Sequence, residues 1–224
     1  MKQSAKKQLL LGMSLFALFV LYTWSLTFAQ VQPIGPNGSC VAYAQINQAV
    51  HELFGVHWVL YHITDWAGVV AILIAFGFFV LGLVQWIQRK RIWQVDSSIL
   101  VLGVFYVLVF GCYAFFELHV INRRPVLING VLEASSPSSP TMLAMCVLPT
   151  AMMQFRRLIG NATLRKTVNI LCGVFTAFMV IGRLICGVHW FTDILGGVLF
   201  SVAAIMLYCS ANRFLEIYRQ IPGL

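Results

Sequence analysis

Six apolar stretches, each close to the length a helix needs to cross a hydrocarbon layer, follow one another near residues 8–29, 63–87, 97–117, 140–156, 167–187 and 190–211. A spanning helix takes about 20 apolar residues, and a backbone among lipid tails must satisfy its own polar groups, which runs of this length do as helices. The chain is therefore expected to be an all-α polytopic membrane protein, a bundle of six transmembrane helices. Composition agrees, because 60% hydrophobic and 10% charged residues in a chain of 224 leave too little polar surface to cover a soluble globule. One integral membrane domain over 1–224 is expected. The fourth run is the shortest and carries Pro149, which removes a backbone donor and predicts a kink.

The formal net charge of +8 does not point to nucleic acid, since the basic residues sit in short clusters between apolar runs rather than on one polar face. Lys2, Lys6 and Lys7 precede the first run, Arg89, Lys90 and Arg91 follow the second, Arg156, Arg157, Arg165 and Lys166 follow the fourth, and Arg213 and Arg219 follow the sixth. Every second connection is thus basic. The positive-inside rule then predicts both termini in the cytoplasm and segments 30–62, 118–139 and 187–190 outside. Arg123 and Arg124 break that rule, which marks them as candidates for a ligand. The first run also begins as a signal peptide does and ends in Thr27-Phe28-Ala29, but it exceeds the roughly 7–15 residues of a signal core, so an uncleaved helix is expected.

Residues 42–54 are expected to form a short helix at the outer interface, with Trp58, Tyr61 and Trp66 as an aromatic anchor where the second span begins. His51, His57 and His62 read as solvated interfacial histidines, because a metal site needs converging further ligands. Five of the six cysteines lie in apolar runs, Cys40 lies in a polar loop, and none shows CxxC spacing, so a structural role is expected. Asp96 is read as a cap of the third span and Gly196-Gly197 as a close helix contact. Met142, Met145, Met152 and Met153 are read as packing, and Asn161-Ala162-Thr163 falls on the cytoplasmic side, where no glycan is added.

Charges inside apolar helices are costly and are functional candidates by default. In GRLICGVHWFTDILGG, Arg183, His189 and Asp193 span the end of one helix, a turn and the start of the next. His189 and Asp193 stand four positions apart, one helical turn, so the carboxylate is expected to accept from one imidazole nitrogen and leave the other as an oriented nucleophile or base. Arg183 supplies a planar cation suited to phosphate oxygens. An ion pair with an interfacial histidine is the structural alternative. On the same expected face, Arg124-Pro125 is followed by Ser135, Ser136, Pro137, Ser138, Ser139, Pro140 and Thr141 at a helix entrance, where hydroxyls cap and free N–H groups favour an anion.

These residues resemble the PAP2 (type 2 phosphatidic acid phosphatase and haloperoxidase) superfamily, whose motifs are KxxxxxxRP, PSGH and SRxxxxxHxxxD on a six-helix bundle. Arg183, His189 and Asp193 match the third motif, with Gly182 in place of its Ser; Arg124-Pro125 ends the first; Pro137-Ser138-Ser139 resembles the start of the second. Glu117 stands at the first-motif Lys position and Pro140 at the second-motif His position. The likeness covers about 60–211. It implies His189 as the nucleophile that forms a phosphohistidine and Asp193 as its orienter. Arg124, Arg183, Ser138 and Ser139 would bind phosphate, and no metal or other cofactor is implied. The vanadium haloperoxidase branch is soluble, unlike this chain.

The resemblance implies a membrane lipid phosphatase or diphosphatase at the outer leaflet of a bacterial plasma (inner) membrane. Its partners would be membrane lipids and a lipid phosphate substrate, such as a polyprenyl diphosphate, undecaprenyl diphosphate among them, or a phosphatidate. With Pro140 in place of an acid, diphosphates are expected to be favoured, because a phosphate monoester leaves as a stable anion whereas an alkoxide needs a proton. His119 and Glu133 lie in the same outer segment and are the candidates to substitute for the missing acid, though neither has a spacing argument. Two other readings stay open: a catalytically silent relative that binds anionic headgroups or a protein, and a small transporter. The sequence carries no sign of oligomeric state.

Overall fold

The computed structural model describes residues 2–219. Seven α-helices run through them: α1 (Lys2–Ser25), α2 (Ala44–Phe54), α3 (Trp58–Arg89), α4 (Ser97–Leu118), α5 (Ser139–Leu158), α6 (Ala162–Ile185) and α7 (Phe191–Arg219). Only isolated bridges of extended backbone occur among the described residues. Long apolar runs become helices because each backbone bond then closes within its own segment. The side chains left outward on α3 and α4, such as Leu73, Phe76, Phe79, Val104, Val107 and Leu108, are exposed and apolar, the surface lipid tails would cover.

Five of these helices, α1, α3, α4, α6 and α7, are long and apolar enough to cross a membrane, and the chain is an integral membrane protein. The expected count of six spans is not reached on that criterion, because α5 falls short. The physical reason lies in where α5 sits. It packs against α3, α4, α6 and α7 at once, and Met142, Ala144, Cys146, Val147, Leu148, Thr150, Ala151 and Gln154 are all buried. A helix sheathed by protein meets few lipids and can carry Thr150 and Gln154, whose side chains bond to Tyr106 and Tyr208. Pro149 lies within this helix as expected. Boundaries also shift: α3 starts at Trp58, α6 at Ala162, and residues 26–30 form turns beyond α1.

The interfacial segment is helical over Ala44–Phe54 and packs on α7. The aromatic anchor is corrected in one member: Trp58 and Trp66 are exposed, but Tyr61 is buried and lies under the Arg183 guanidinium, 5.2 Å from its ring centre. His57 and His62 are exposed, while His51 is half-buried beside the Trp190 ring. Asp96 occupies the N-cap position of α4, yet its carboxylate accepts from Gln85 and Arg89 of α3, tying the connection between the two helices. Asn161 caps α6 by accepting from the Leu164 N–H.

The starts of α3, α5 and α7 and the ends of α4 and α6 meet at one end of the bundle, together with the 119–138 connection and α2. The basic clusters at 89–91, 156–166 and 213 fall at the other end.

Candidate active site

Two short connections shape the site. In the first, Arg123 pairs with Ala134 and Ile128 with Val131 across a narrow hairpin, which brings Arg124 back toward Ser135. In the second, Cys186 to Trp190 turn sharply from α6 into α7. Trp190 joins the two, its indole N–H donating to the Arg123 carbonyl at 2.7 Å. The first turn of α7 has backbone donors with no intrahelical partner. The Trp190 N–H finds Asp193 Oδ2 at 2.8 Å, and the Thr192 N–H finds Asn47 of α2 at 3.1 Å. The loop bearing His189 is therefore held from three sides.

Glycines permit the close contacts. A Cβ at Gly182 would stand 2.8 Å from the Thr64 methyl, so the glycine at the third-motif serine position lets α6 lie against α3. Next to it, Arg183 is fully buried; its Nη1 donates to Thr64 Oγ1 at 3.3 Å and lies 3.6 Å from Asp65 Oδ1. An unpaired charge there would cost several kcal/mol, roughly, and the Thr64, Asp65 and Tyr61 partners offset it. Gly197 sits against the start of α5, and the Ser138 N–H donates to the Asp193 carbonyl at 3.0 Å.

At the centre, Arg124 Nη1 and Arg183 Nη2 approach His189 Nε2 at 3.2 and 3.4 Å. The other ring nitrogen, Nδ1, lies 3.1 Å from the Ser135 carbonyl and 3.3 Å from its hydroxyl. A carbonyl only accepts, so Nδ1 carries the proton and Nε2 keeps a lone pair aimed at the two guanidiniums. The direct bond expected from His189 to Asp193 is not formed, since Nδ1 and Oδ2 are 3.9 Å apart. The Ser135 hydroxyl stands between them and donates to Asp193 Oδ2. Four positions put the two residues on one face, but the imidazole lies before the helix starts and turns toward the hairpin.

Of the six residues expected at the site, Arg124, Arg183 and His189 converge directly and Asp193 joins through Ser135. Ser138 is buried at the α5 entrance with its hydroxyl unpaired, while Ser139 turns to Glu117 at 3.4 Å. Neither hydroxyl bonds to His189 or to the arginines among the described residues. The Ser135 bridge, Thr64 and Tyr61 escape sequence reasoning, because their contacts are made across long stretches of chain. Asp65 had a signal, a charge inside an apolar run. Among the described residues no cluster of His, Cys, Asp and Glu forms a metal site.

Burial, and after it the Arg124 and Arg183 guanidiniums, hold the His189 imidazole well below its usual range. The imidazole of the free protein is thus neutral at mildly acidic pH. A rate that needs it neutral should show no acid limb near about pH 6.5, where an ordinary histidine titrates. Arg124→Gln should move that limb upward in a kcat/KM profile. The stability sign is the same: below about 6.5 the unfolded chain binds a proton that the folded one does not, so this contribution falls as pH falls. Ser135→Ala keeps the carbonyl contact and removes the bridge. It should lower kcat by up to about 10²-fold with KM little changed, because a reactive ring loses its orientation.

A protein-family profile described as PAP2 superfamily matches residues 10–215. The chain belongs to the PAP2 superfamily. No curated protein matches it. Among solved structures it is similar to a protein described as the first transmembrane PAP2 type phosphatidylglycerolphosphate phosphatase from Bacillus subtilis, at 22% identity and a TM-score of 0.57, covering 94% of this chain and 98% of that one. At this identity the likeness is one of fold, and it identifies the bundle as a PAP2 membrane phosphatase fold. The helix that falls short of the spanning criterion, α5, is thus part of a PAP2 bundle.

Proposed function

We propose that this PAP2 protein is a membrane lipid phosphatase or diphosphatase in which His189 attacks phosphorus. The observation that carries the reading is the His189 Nε2 lone pair facing two guanidinium donors, with Nδ1 held by Ser135 and, through it, by Asp193. A phosphoryl group entering between ring and guanidiniums would take its negative oxygens to Arg124 and Arg183, where charge grows in the transition state. Nε2 forms the P–N bond as the P–O bond to the leaving group breaks, the lipid alcohol in a monophosphate or the lipid monophosphate in a diphosphate, and the leaving oxygen carries off the electron pair. Water then attacks phosphorus, its oxygen joining the released phosphate and its proton passing to solvent, and the P–N electron pair returns to Nε2 to restore neutral His189. Asp193 and Ser135 stabilise the positive ring that exists in between. Ser138, buried with a free hydroxyl at a helix start, is the further phosphate contact we propose, and Ser139 the outer one. The dispersion of basic residues at the opposite end supports an outward-facing site with cytoplasmic termini in a bacterial inner membrane.

Incubating the purified protein in detergent with lipid phosphates and diphosphates tests this reading. Expected are inorganic phosphate release and an alkali-stable, acid-labile phosphoryl label on the protein. Pro140 at the start of α5 leaves no acid at the second-motif position, so a polyprenyl diphosphate should turn over faster than phosphatidate by about 10²-fold, the size of a general-acid contribution. Equal turnover would contradict the leaving-group argument. The same proline favours one other reading, a silent relative that binds phosphate headgroups; binding without release from any substrate would select it.

A further inference from the structure

We propose that Asn47, on the short helix α2, is a positioning residue of the reaction: it fixes the first turn of α7 and, through that turn, the direction in which Asp193 serves His189. The assignment rests on reading the His189 pocket as a phosphoryl site. Asn47 is fully buried, and it binds a residue 145 positions away. Its amide uses both ends on Thr192. Oδ1 accepts from the Thr192 N–H at 3.1 Å, and Nδ2 donates to Thr192 Oγ1 at 2.9 Å and to the Ala42 carbonyl at 2.8 Å. The Thr192 carbonyl accepts from the Tyr22 hydroxyl at 2.6 Å. All three polar groups of the residue next to Asp193 are thus met by α1 or α2.

A helix start leaves N–H groups without partners, and a short polar side chain just before the first turn commonly accepts from one of them. Here Trp190 stands immediately before α7, and its side chain reaches away to Arg123. The acceptor comes instead from a separate helix. Asn47 and His51, one turn apart on α2, face Thr192 and the Trp190 ring, the two rings lying 5.5 Å apart. The start of α2 is tied in turn to the end of α1: the Tyr43 N–H donates to the Ala29 carbonyl at 2.8 Å, and the Tyr43 and Ser25 hydroxyls are 2.9 Å apart. The clamp therefore has a base of its own.

What it holds is Asp193. That carboxylate takes the Trp190 N–H and the Ser135 hydroxyl on one oxygen, while the Asp193 carbonyl takes the Ser138 N–H. Each contact depends on where the Asp193 backbone stands, and Asn47 and Tyr22 settle the residue before it. Without Asn47 the first turn can shift while α7 stays helical. The Ser135 bridge, a single hydroxyl wide, loosens first, and a displacement of about 1 Å can cost roughly 10²-fold in rate. Asparagine suits the place because one short neutral side chain carries both donor and acceptor, whereas an aspartate would bring a second carboxylate toward Asp193.

Coupling separates positioning from support of the fold. Asn47→Ala, Ser135→Ala and the double variant would be compared in detergent by kcat and KM on a lipid diphosphate, by thermal unfolding, and by affinity for orthovanadate, which takes the five-coordinate geometry of a phosphoryl group under attack and needs no turnover. Asn47→Ala should lower kcat by about 30-fold with KM within about twofold, and weaken orthovanadate by about tenfold. In the Ser135→Ala protein, where Asp193 is already cut off from the ring, the same change should cost less than about threefold in either readout. Thr192→Val removes the hydroxyl and keeps the N–H contact; it should show a smaller loss with the same coupling, and it carries the test if Asn47→Ala does not fold. The kcat values decide where phosphate is released, and orthovanadate decides where it is not. Equal losses in the two backgrounds, losses below about twofold without Ser135→Ala, or an unsubstituted protein that neither releases phosphate nor binds orthovanadate would overturn the proposal. Coupled orthovanadate binding without phosphate release counts against the phosphatase reading and leaves Asn47 in its role, whereas release without coupling does the reverse.

Discussion

His189→Ala removes phosphate release down to background, a loss on the order of 10⁴-fold or more, because no other side chain among the described residues presents a lone pair to both guanidiniums. The alkali-stable label should vanish with it. The fold should survive. Arg183 keeps Thr64, Asp65 and the Tyr61 ring, and Arg124 keeps Glu133. Thermal unfolding in detergent beside the activity assay separates the two effects, and retained release with normal unfolding would remove His189 from the mechanism. Asp193→Asn should act differently. It leaves Nε2 in place and weakens the positive-ring state, so the label should form slowly rather than not at all.

Gly187→Ala is expected to be the most disruptive added methyl among the described glycines. Gly187 sits at φ +70°, in the left-handed region, and its added Cβ would fall 1.8 Å from the Gly55 carbonyl oxygen. The left-handed backbone alone costs a non-glycine residue about 1–3 kcal/mol. The overlap is with backbone, so no side-chain rotation relieves it. The loop before α3 and the turn before α7 are joined here, the His57 N–H donating to the Cys186 carbonyl at 3.0 Å, and His189 lies two residues further on. Moving this turn should lower both the unfolding temperature and the rate. Gly173→Ala, inside α6 with nothing within 4 Å of its added Cβ, is the control and should leave both close to unchanged. A normal unfolding temperature for Gly187→Ala would show that the contact yields more cheaply than its geometry implies.

Hydropathy alone was enough to mark α1, α3, α4, α6 and α7, because a helix facing lipid must be apolar around much of its surface and announces itself in any window of its length. The same logic is why α5 read as the weakest span. Its environment is protein, so Thr150 and Gln154 find partners there that no sequence window can display. Spacing and misplaced charge made Arg124, Arg183, His189 and Asp193 legible, since charges are rare in apolar runs and each had to have a reason. Asp65 carried that signal as well.

Ser135 carried none. It stood in a serine run whose members look alike, and only the hairpin turned its hydroxyl and carbonyl to His189 while sending Ser139 to Glu117. Tyr61 looked like a surface anchor until α6 closed over it. The sequence by itself determined a helical membrane protein with a cationic and imidazole cluster at one end, because desolvation penalties act on residue type and run length. Tertiary structure alone decided which hydroxyl stands between His189 and Asp193, and which carboxylates stand outside Arg124 and Arg183. Those choices depend on contacts of a few ångströms between segments that the chain keeps far apart.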